Sequence, residues 1–437
     1  MPNISSFGAL QTSLSGLLAH QRQLDVASHN IANADTVGYT RQAVNTTATP
    51  GIAIGGASNG ATNWLGQGVT VESYQRLRND FLDVSARTQN MLLGERGAKA
   101  EGLSRADAAM GEPSDTGINA KLNELWTSFK TLANTPNDPG ARAQVIASAQ
   151  SLASSLKNVD ANLGQIASDA MSEFNALTTG PGNEIGGYAS ELAQLNDAIG
   201  QATAAGQQPN DMLDRRDLIL DKLSSLAQVS VTNEGYGRIS VKFGDAATPL
   251  VNGSTPTSVA TWPQTLTNPG GQLGGLLGVQ ASVAGYRTQL DNVAGQLAAS
   301  VNAIHGTPPF FSGNTAATLT VNVTASTLQA GSGTGNQSNN IAAALTALRG
   351  GTADATYQGL VTTIGAETSA ATAQRDLSIS LVNDVESRRQ SVAGVSLDEE
   401  MTNLIKFQRG YQASARAMST VDEMLDVLIN RTGRVGL

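Results

Sequence analysis

The sequence predicts a mainly α-helical protein with a smaller β-rich part. We expect paired coiled-coil-like helices at the two ends, an elongated central helical bundle and a small β insertion. Apolar residues recur at alternating spacings of three and four along much of the chain, which is the period of amphipathic helices. Strand-like alternation of apolar and polar residues is confined to short central stretches. Aromatic residues are only 4% of the 437 residues, so Leu, Val, Ile and Ala must supply the core, which favours long, slim helices.

The N-terminal segment is predicted to be one amphipathic helix with a coiled-coil-like stripe. The pattern ends at residues 33–38, where Asn and Gly favour a turn, and the β-branched stretch at 44–49 is unfavourable for a helix. From Gly51 to Gly68 the chain is rich in glycine and is expected to be irregular. The apolar stripe of this helix consists of Phe7, Leu10, Leu14, Leu17, Leu24 and Ile31.

Helical patterning resumes near Leu77 and is strongest from Val145 to Leu177. Asp138 and Pro139 start this strong segment, because Asp is a preferred N-cap and Pro suits the first helical position. These helices are expected to form one bundle. Further helical segments are predicted at 188–199, 211–227, 276–304 and 354–392.

Two stretches show the alternation of apolar and polar residues that is typical of β-strands. Apolar residues alternate with polar ones from Val229 to Phe243, and the turn at 235–237 predicts a β-hairpin. The Pro-, Thr- and Gly-rich stretch at 248–271 predicts a loop with one more strand. A second short alternating run covers 319–323 and is followed by a polar loop that reaches Asn340.

The C-terminal segment mirrors the first. Ser396 and Glu399 have the spacing of a capping box, with Ser at the helix N-cap and Glu at the third helical position. Asp398 and Glu400 add negative charge, which favours a helix N-terminus. The stripe that follows consists of Leu404, Phe407, Tyr411, Met418, Val421, Leu425 and Leu428.

These elements predict three domains. Residues 1–45 with 396–437 form a terminal helical domain, and residues 46–228 with 271–395 form the central bundle. Residues 229–270 form the β-rich insertion, with 306–340 as a candidate addition. A terminal helix with one apolar seam is marginal alone and needs a partner. On pattern alone, that partner is either the central bundle or further copies of the chain.

Composition excludes several classes of function. The net charge of −9, without clusters of Lys and Arg, argues against a nucleic-acid partner. The sequence contains no cysteine, which excludes disulfides, thiolate zinc sites and Cys nucleophiles. The N-terminus lacks the pattern of a secretory signal peptide, and no run of 18 apolar residues predicts a membrane span.

No catalytic, metal or cofactor site is predicted. His20 and His29 lie nine residues apart, on nearly opposite faces of a helix, and His305 stands alone. The adjacent carboxylates at 398–400 are explained by helix capping. The pair at 215–216 sits among aspartates, so local helix pairing, with Asp211 and Arg215 four residues apart, is the simplest interpretation.

Both ends resemble flagellar axial proteins. Residues 15–41 are similar to the N-terminal signature, in which Asn-Ile-Ala-Asn is followed by Thr-x-Gly-Tyr-x-Arg. Residues 397–415 and 421–425 resemble the C-terminal signature. The matching N-terminal residues are Asn30, Asn33, Thr36, Gly38, Tyr39 and Arg41. In the C-terminal helix the resemblance implies assembly and chaperone-binding roles for Glu400, Leu404, Phe407, Gln408, Tyr411, Ala415, Met418, Val421, Leu425 and Leu428.

The central region resembles one subfamily, the hook-associated proteins that join the flagellar hook to the filament. The helix at 211–217 is similar to the Leu-x-x-Arg-Asp helix of that subfamily, and so are residues 270–277 and 302–305. Val37 stands where Pro is common, and the short central region puts an elaborate outer domain in doubt.

The resemblance implies a structural protein and not an enzyme, with no cofactor. It implies export by the flagellar type III apparatus, from the cytoplasm to the extracellular flagellum, with both termini unfolded until assembly. The implied partners are further copies of the chain in a ring or short helical zone, the hook protein, the second junction protein and a cytosolic export chaperone at the C-terminus. Neither nucleic acid nor membrane insertion is expected. The alternatives are a hook or distal rod subunit, a secreted hydrolase carried on axial-type ends, and an effector whose ends insert into membranes.

Overall fold

The computed structural model describes residues 6–54, 63–179, 182–257, 266–333 and 338–427. It confirms the predicted fold class, because long helices dominate and the sheets are small. The helices are α1 Ser6–Ala32, α2 Asp80–Met110, α3 Ile118–Asn134, α4 Pro139–Thr178, α5 Glu184–Ala204, α6 Asn210–Leu226, α7 Gly271–His305, α8 Asn340–Thr346, α9 Thr352–Ala393 and α10 Leu397–Asp426. The strands are β1 Gln42–Ala48, β2 Ile52–Ile54, β3 Asn63–Leu65, β4 Val69–Arg76, β5 Val229–Gly235, β6 Arg238–Phe243, β7 Val251–Asn252, β8 Thr255–Pro256, β9 Phe311–Ser312 and β10 Thr320–Val321.

The central bundle consists mainly of α2, α3, α4, α7 and α9. Its core is a continuous layer of Leu, Val, Ile and Ala side chains from all five helices. Trp126 is buried in it, and its indole N–H donates to the carboxylate of Asp354 at 3.0 Å. The helix α2 approaches α7 closely because Gly275 has no side chain, since a Cβ there would collide with the carbonyl oxygen of Glu95.

A second, smaller core joins α5 and α6 to the predicted hairpin. Strands β5 and β6 pair antiparallel, and Val241 and Phe243 are fully buried. Tyr236 has a φ of 49° and sits between two glycines with positive φ, which is the backbone of a tight hairpin turn. Strands β7 and β8 extend the same sheet in the order β5-β6-β7-β8.

The prediction of irregular chain at 51–68 was wrong for part of that stretch. Strand β1 pairs with β4 from Gln42 opposite Arg76 to Ala48 opposite Val69, and β2 pairs with β3 beyond them. The resulting β ribbon lies against α1, where the backbone N–H of Val69 donates to the Ser15 hydroxyl at 3.2 Å. Strands β2 and β3 are only three residues long, and β1 and β4 are separated by some twenty residues, so local alternation gave little signal. The predicted domain boundaries stay a prediction.

Candidate assembly site at the joined termini

The first and last helices, α1 and α10, pack side by side and antiparallel. Three close contacts follow one another along the pair: Gly16 with Ser414, His20 with Gly410, and Asn30 with Glu400. A Cβ at Gly410 would lie 2.6 Å from His20 Nε2, so a larger residue there would displace the His20 ring. We call α1 and α10 together the terminal pair.

Most residues of the two predicted apolar stripes stay half-exposed in the terminal pair. The stripe residues of α1 from Leu10 to Ile31 are each partly buried. In α10 the stripe residues are partly buried, except for Tyr411, which is 36% exposed, and Gln408 is also exposed. Among the described residues of α10, Glu400 alone is fully buried. The side chain of Phe7 and residue Leu428 lie outside the described part. The stripe residues of α10 that are partly buried are Leu404, Phe407, Met418, Val421 and Leu425, and Ala415 beside them is partly buried too.

At the base of the terminal pair, Asn30 is the centre of a hydrogen-bonded cluster. It is 1% exposed, and its side-chain amide donates to the Gln42 carbonyl at 2.9 Å and to Glu400 Oε2 at 3.2 Å. Its Oδ1 accepts from the Tyr39 hydroxyl at 2.7 Å and from the Gln42 backbone N–H at 3.0 Å. All the hydrogen-bonding capacity of this buried amide is therefore used within the site.

Arg41 connects the two sequence signatures by charge. Its guanidinium lies 2.7 Å from Glu400 Oε1 and 2.7 Å from Glu399 Oε2. The Glu400 side chain is 4% exposed and that of Glu399 is 62% exposed. A buried carboxylate needs a paired charge and hydrogen bonds, and Arg41 with Asn30 supplies both. Glu400, predicted from spacing as a favourable charge at a helix start and from the resemblance as an assembly residue, pairs with Arg41 and Asn30 where the termini join.

The start of α10 is capped as its sequence suggests, with one difference. The Ser396 hydroxyl accepts from the backbone N–H of Glu399 at 3.5 Å. The Glu399 carboxylate, which in a capping box would reach back toward Ser396, is directed to Arg41.

The remaining signature residues shape the turn between α1 and β1. Asn33 donates to the carbonyl of His29 at 3.0 Å and accepts from the Thr36 hydroxyl at 3.3 Å. Gly38 has a φ of 84°, a left-handed conformation that favours glycine, and it lies against Leu218 of α6. This turn therefore places Tyr39 and Arg41 beside Asn30.

The helix α6 carries an aspartate ladder on one side, formed by Asp211, Asp214, Asp217 and Asp221. Asp214 Oδ2 accepts from the backbone N–H of Thr40 at 3.0 Å, and Asp211 accepts from the side chain of Gln42 at 3.1 Å. The aspartate ladder thus fixes the segment that follows the signature turn to the central domain.

Arginines from other elements occupy the rest of the aspartate ladder. Asp217 lies 2.8 Å from Arg76, 3.0 Å from Arg78 and 3.3 Å from Arg87. Burial alone would raise the pKa of Asp217, but the three arginines, with Arg78 first, outweigh it and hold that pKa below its ordinary value. Arg389 near the end of α9 lies 2.5 Å from Asp221.

The expected local pairing of Arg215 with Asp211 was wrong. Arg215 lies 2.6 Å from Glu191 of α5, because the aspartates face β4 and α2 on another side of the helix. Arg216 is 8% exposed, and burial lowers its pKa. It donates to the Gly237 carbonyl and ties the hairpin turn to α6.

Burial of the Tyr39 hydroxyl raises the pKa of that group well above its ordinary value, with Asp211, Asp214 and Glu400 adding to the effect. Tyr39 therefore stays a neutral donor to Asn30 at physiological pH.

The histidines are placed separately. His29 contacts the Tyr39 hydroxyl at 3.1 Å, and His20 contacts Gln23 at 2.9 Å. His305 is buried in the central bundle, where its ring bonds the Pro308 carbonyl and the Gln329 backbone N–H. Burial lowers the pKa of His305. Within the described residues, no group of three His, Cys, Asp or Glu side chains is placed to hold a metal ion. The described helices include none that is long and apolar enough to cross a membrane.

Sequence reasoning missed Gln42, Asn210 and the role of the aspartate ladder. Asn210 donates to the Gln42 side chain at 3.1 Å and to the Tyr74 carbonyl at 2.9 Å. Only the position of Gln42 directly after the signature could have drawn attention to it.

Comparison with known proteins agrees with this arrangement. The family model of the flagellar hook-associated protein FlgK helical domain matches residues 103–270. The model of the C-terminal region of flagellar basal body rod proteins FlgEFG matches 387–431, and that of flagella basal body rod proteins matches 10–40. The last two matches cover much of α10 and α1.

The matches to curated relatives cover either nearly all of this chain or a little more than half of it. Flagellar hook-associated protein 1 of Bacillus subtilis is 28% identical over 98% of this chain and 99% of its own length. The protein of that name from Salmonella typhimurium is 32% identical over 57% of this chain, which is 44% of the Salmonella protein. The one from Escherichia coli is 30% identical over 58% of this chain and 45% of its own length. The chain is therefore similar to flagellar hook-associated protein 1 over its full length, to the helical domain of that protein at its centre and to flagellar rod proteins at both ends.

Proposed function

We propose that this chain is a structural subunit that joins the flagellar hook to the filament and assembles through its terminal pair. The observation that carries the proposal is the half-exposed state of both terminal stripes. Two helices side by side leave much of each apolar stripe in water, and copies of the same pair would cover it. The buried Asn30–Arg41–Glu400 cluster gives every copy the same terminal pair to present.

The proposal includes export and partners. The chain is exported through the flagellar type III apparatus with α1 and α10 unfolded, and the two helices fold when the subunit joins the axial tube. Its partners are further copies, the hook protein, the second junction protein and a cytosolic export chaperone. The chaperone covers α10, whose apolar residues would otherwise be exposed in the unassembled subunit. Similarity to flagellar hook-associated proteins supports a structural and not an enzymatic role.

The test is deletion of this gene in its own bacterium, with flagella isolated and viewed by electron microscopy. A junction subunit predicts intact hooks that carry no filament, with flagellin released to the medium. Complementation with the full chain should restore filaments. Complementation with a chain that ends before α10, at Ser396, should not.

A deletion strain that lacks hooks would instead show the alternative, a hook or distal rod subunit. Normal filaments in the deletion strain would contradict both.

A further inference from the structure

The helix α10 carries a second apolar stripe that does not face α1. Leu397 is 50% exposed, Met401 58% and Ile405 49%. They follow one another at spacings of four and therefore share one side of the helix. At 100° per residue, this side lies roughly 140° around the axis from the mean direction of Glu400, Gly410 and Ser414, which contact α1. We call it the outer stripe.

Uncharged residues continue the line of the outer stripe along α10. Beyond Ile405, the same side of α10 presents Gln408, Gln412, Ala415 and Ser419. The uncharged surface is therefore about 33 Å long at 1.5 Å per residue. Asp398, Arg409 and Arg416 border this surface, roughly 60–80° around the axis from its mean direction, and Lys406 lies on the far side of the helix. A long surface of this kind suits close packing against another uncharged surface, because no charge loses its hydration there.

A matching surface lies on α1 of the same chain. From Ser6 to Gln21 the helix contains no Asp, Glu, Lys or Arg. Leu10 and Leu14 are only partly buried, and Leu18 is 49% exposed. We call these three residues the leucine flank. The leucine flank and the outer stripe belong to different helices of one terminal pair, so the outer stripe can meet the leucine flank of another copy.

We propose that the outer stripe of one subunit packs on the leucine flank of a second copy of this chain. The inference rests on the proposed function, and it names the surfaces by which copies join. The contact joins two different faces. An assembly of any size therefore has a free outer stripe at one end and a free leucine flank at the other, so that growth can continue into a ring or a helix. The contact is continuous with the α1–α10 packing and extends the same layer of helices. The stripe predicted from the sequence, with Leu404 and Phe407, packs partly on α1 of the same subunit, and the outer stripe adds a separate contact between copies.

The natural chain has no cysteine, so single cysteines report the contact directly. Leu14→Cys and Ile405→Cys variants of the full chain are purified separately with different affinity tags, mixed, assembled with ammonium sulfate and oxidised. Disulfides between the two variants are counted by mass spectrometry. The matched control replaces Ile405→Cys with Lys406→Cys, the next residue on another side of the same helix. Because a disulfide needs Cα atoms within about 7 Å, we expect roughly tenfold more mixed disulfide for position 405 than for position 406.

Sedimentation measures assembly itself, and it therefore tests the proposed function separately from the outer-stripe contact. Two results would overturn the outer-stripe contact and leave the proposed function standing. In the first, polymers form but Leu14→Cys is joined as often to Lys406→Cys as to Ile405→Cys. In the second, most disulfides join two Ile405→Cys chains to each other. A wild-type chain that forms no polymer under any salt concentration contradicts assembly through the terminal pair, and the contact with it. The Leu18→Cys and Met401→Cys pair repeats the test if the first variants sediment less than wild type. A Met401→Glu, Ile405→Glu variant should keep the wild-type helical circular dichroism of the subunit and lose polymer in the pellet by more than tenfold.

Discussion

At the residue scale, the junction of the termini depends on one buried carboxylate. Glu400 is enclosed on α10 and is held by Arg41 and Asn30, residues that lie more than 350 positions away. Local patterns predicted its helical position, because negative charge is favourable in a first helical turn. Its partners could not follow from local patterns. The family resemblance selected Asn30 and Arg41 without showing that they meet Glu400.

Glu400→Gln tests this junction. The substitution keeps the shape of the side chain and removes its charge, which leaves the guanidinium of Arg41 without its enclosed partner. We expect the joined termini to lose on the order of 2–4 kcal/mol, because breaking one side of a buried ion pair is costly. The measurement is the concentration of ammonium sulfate needed for half-assembly, with the temperature at which polymer dissociates.

Glu399→Gln is the matched control, since Glu399 contacts the same guanidinium but is 62% exposed. Exposed ion pairs contribute about 0–1 kcal/mol, so this variant should assemble almost as wild type. Equal effects of the two substitutions would show that burial of Glu400 does not stabilise the junction.

At the scale of elements, helices were easier to predict than the contacts between them. The three-and-four spacing in α4 and α7 is local, and so are the signals of their starts, such as Asp138, which caps α4 by accepting from the N–H of Gly140. The β ribbon and the aspartate ladder depend on partners distant in sequence. Asp211 and Arg215 look like a helix pair on spacing alone, yet the ladder is occupied by arginines from β4, α2 and α9.

Asp217→Asn tests the aspartate ladder. Asp217 is 15% exposed and is shared by three arginines, so its loss leaves several charges without a partner. We expect the free energy of unfolding of the central domain at pH 7 to fall by about 2–4 kcal/mol, measured by urea titration of the full chain. Glu191→Gln, which removes an exposed partner of Arg215, should change it by less than about 1 kcal/mol.

The pH dependence of the free energy of unfolding is an independent test of the aspartate ladder. The pKa of Asp217 in the folded chain lies below its ordinary value of 3.8, so its stabilising effect is complete above that value. The effect is lost as the pH falls through the lower, folded pKa. The Asp217→Asn variant should therefore show a smaller loss of stability between pH 5 and pH 3 than wild type. An equal loss of stability between pH 5 and pH 3 in the two proteins would contradict the stabilisation of the Asp217 carboxylate by its arginines.

At the scale of the whole molecule, the chain divides into a well-buried central part and a terminal pair with almost no buried apolar side chains. The central core is continuous across α2, α3, α4, α7 and α9. The two large-scale statements that sequence could support, mainly helical and joined at its ends, rested on periodicity and on the two signatures. The ends attach to the centre through two backbone donors. The N–H of Thr40 donates to Asp214, and the N–H of Arg41 donates to the Ala393 carbonyl. These contacts could not be predicted, because every residue except proline has a backbone N–H and the sequence does not show which ones are used.

Limited trypsin digestion should show this division directly. If α1 and α10 fold only on assembly, the unassembled chain is first cut at Arg22 and at Lys406 or Arg409, because unfolded segments are the preferred sites of proteolysis. The central helices should resist, including at exposed Arg105 in α2 and Arg375 in α9, whose side chains are 45% and 40% exposed. These two arginines are the internal control, since they are as open to solvent but lie in helices fixed by the core. In polymer, Arg22 and Lys406 should survive as long as Arg105, with fragments identified by mass spectrometry. Equal survival of Arg22 and Arg105 in the unassembled subunit would mean that the terminal pair is already folded there, and that assembly joins preformed helices.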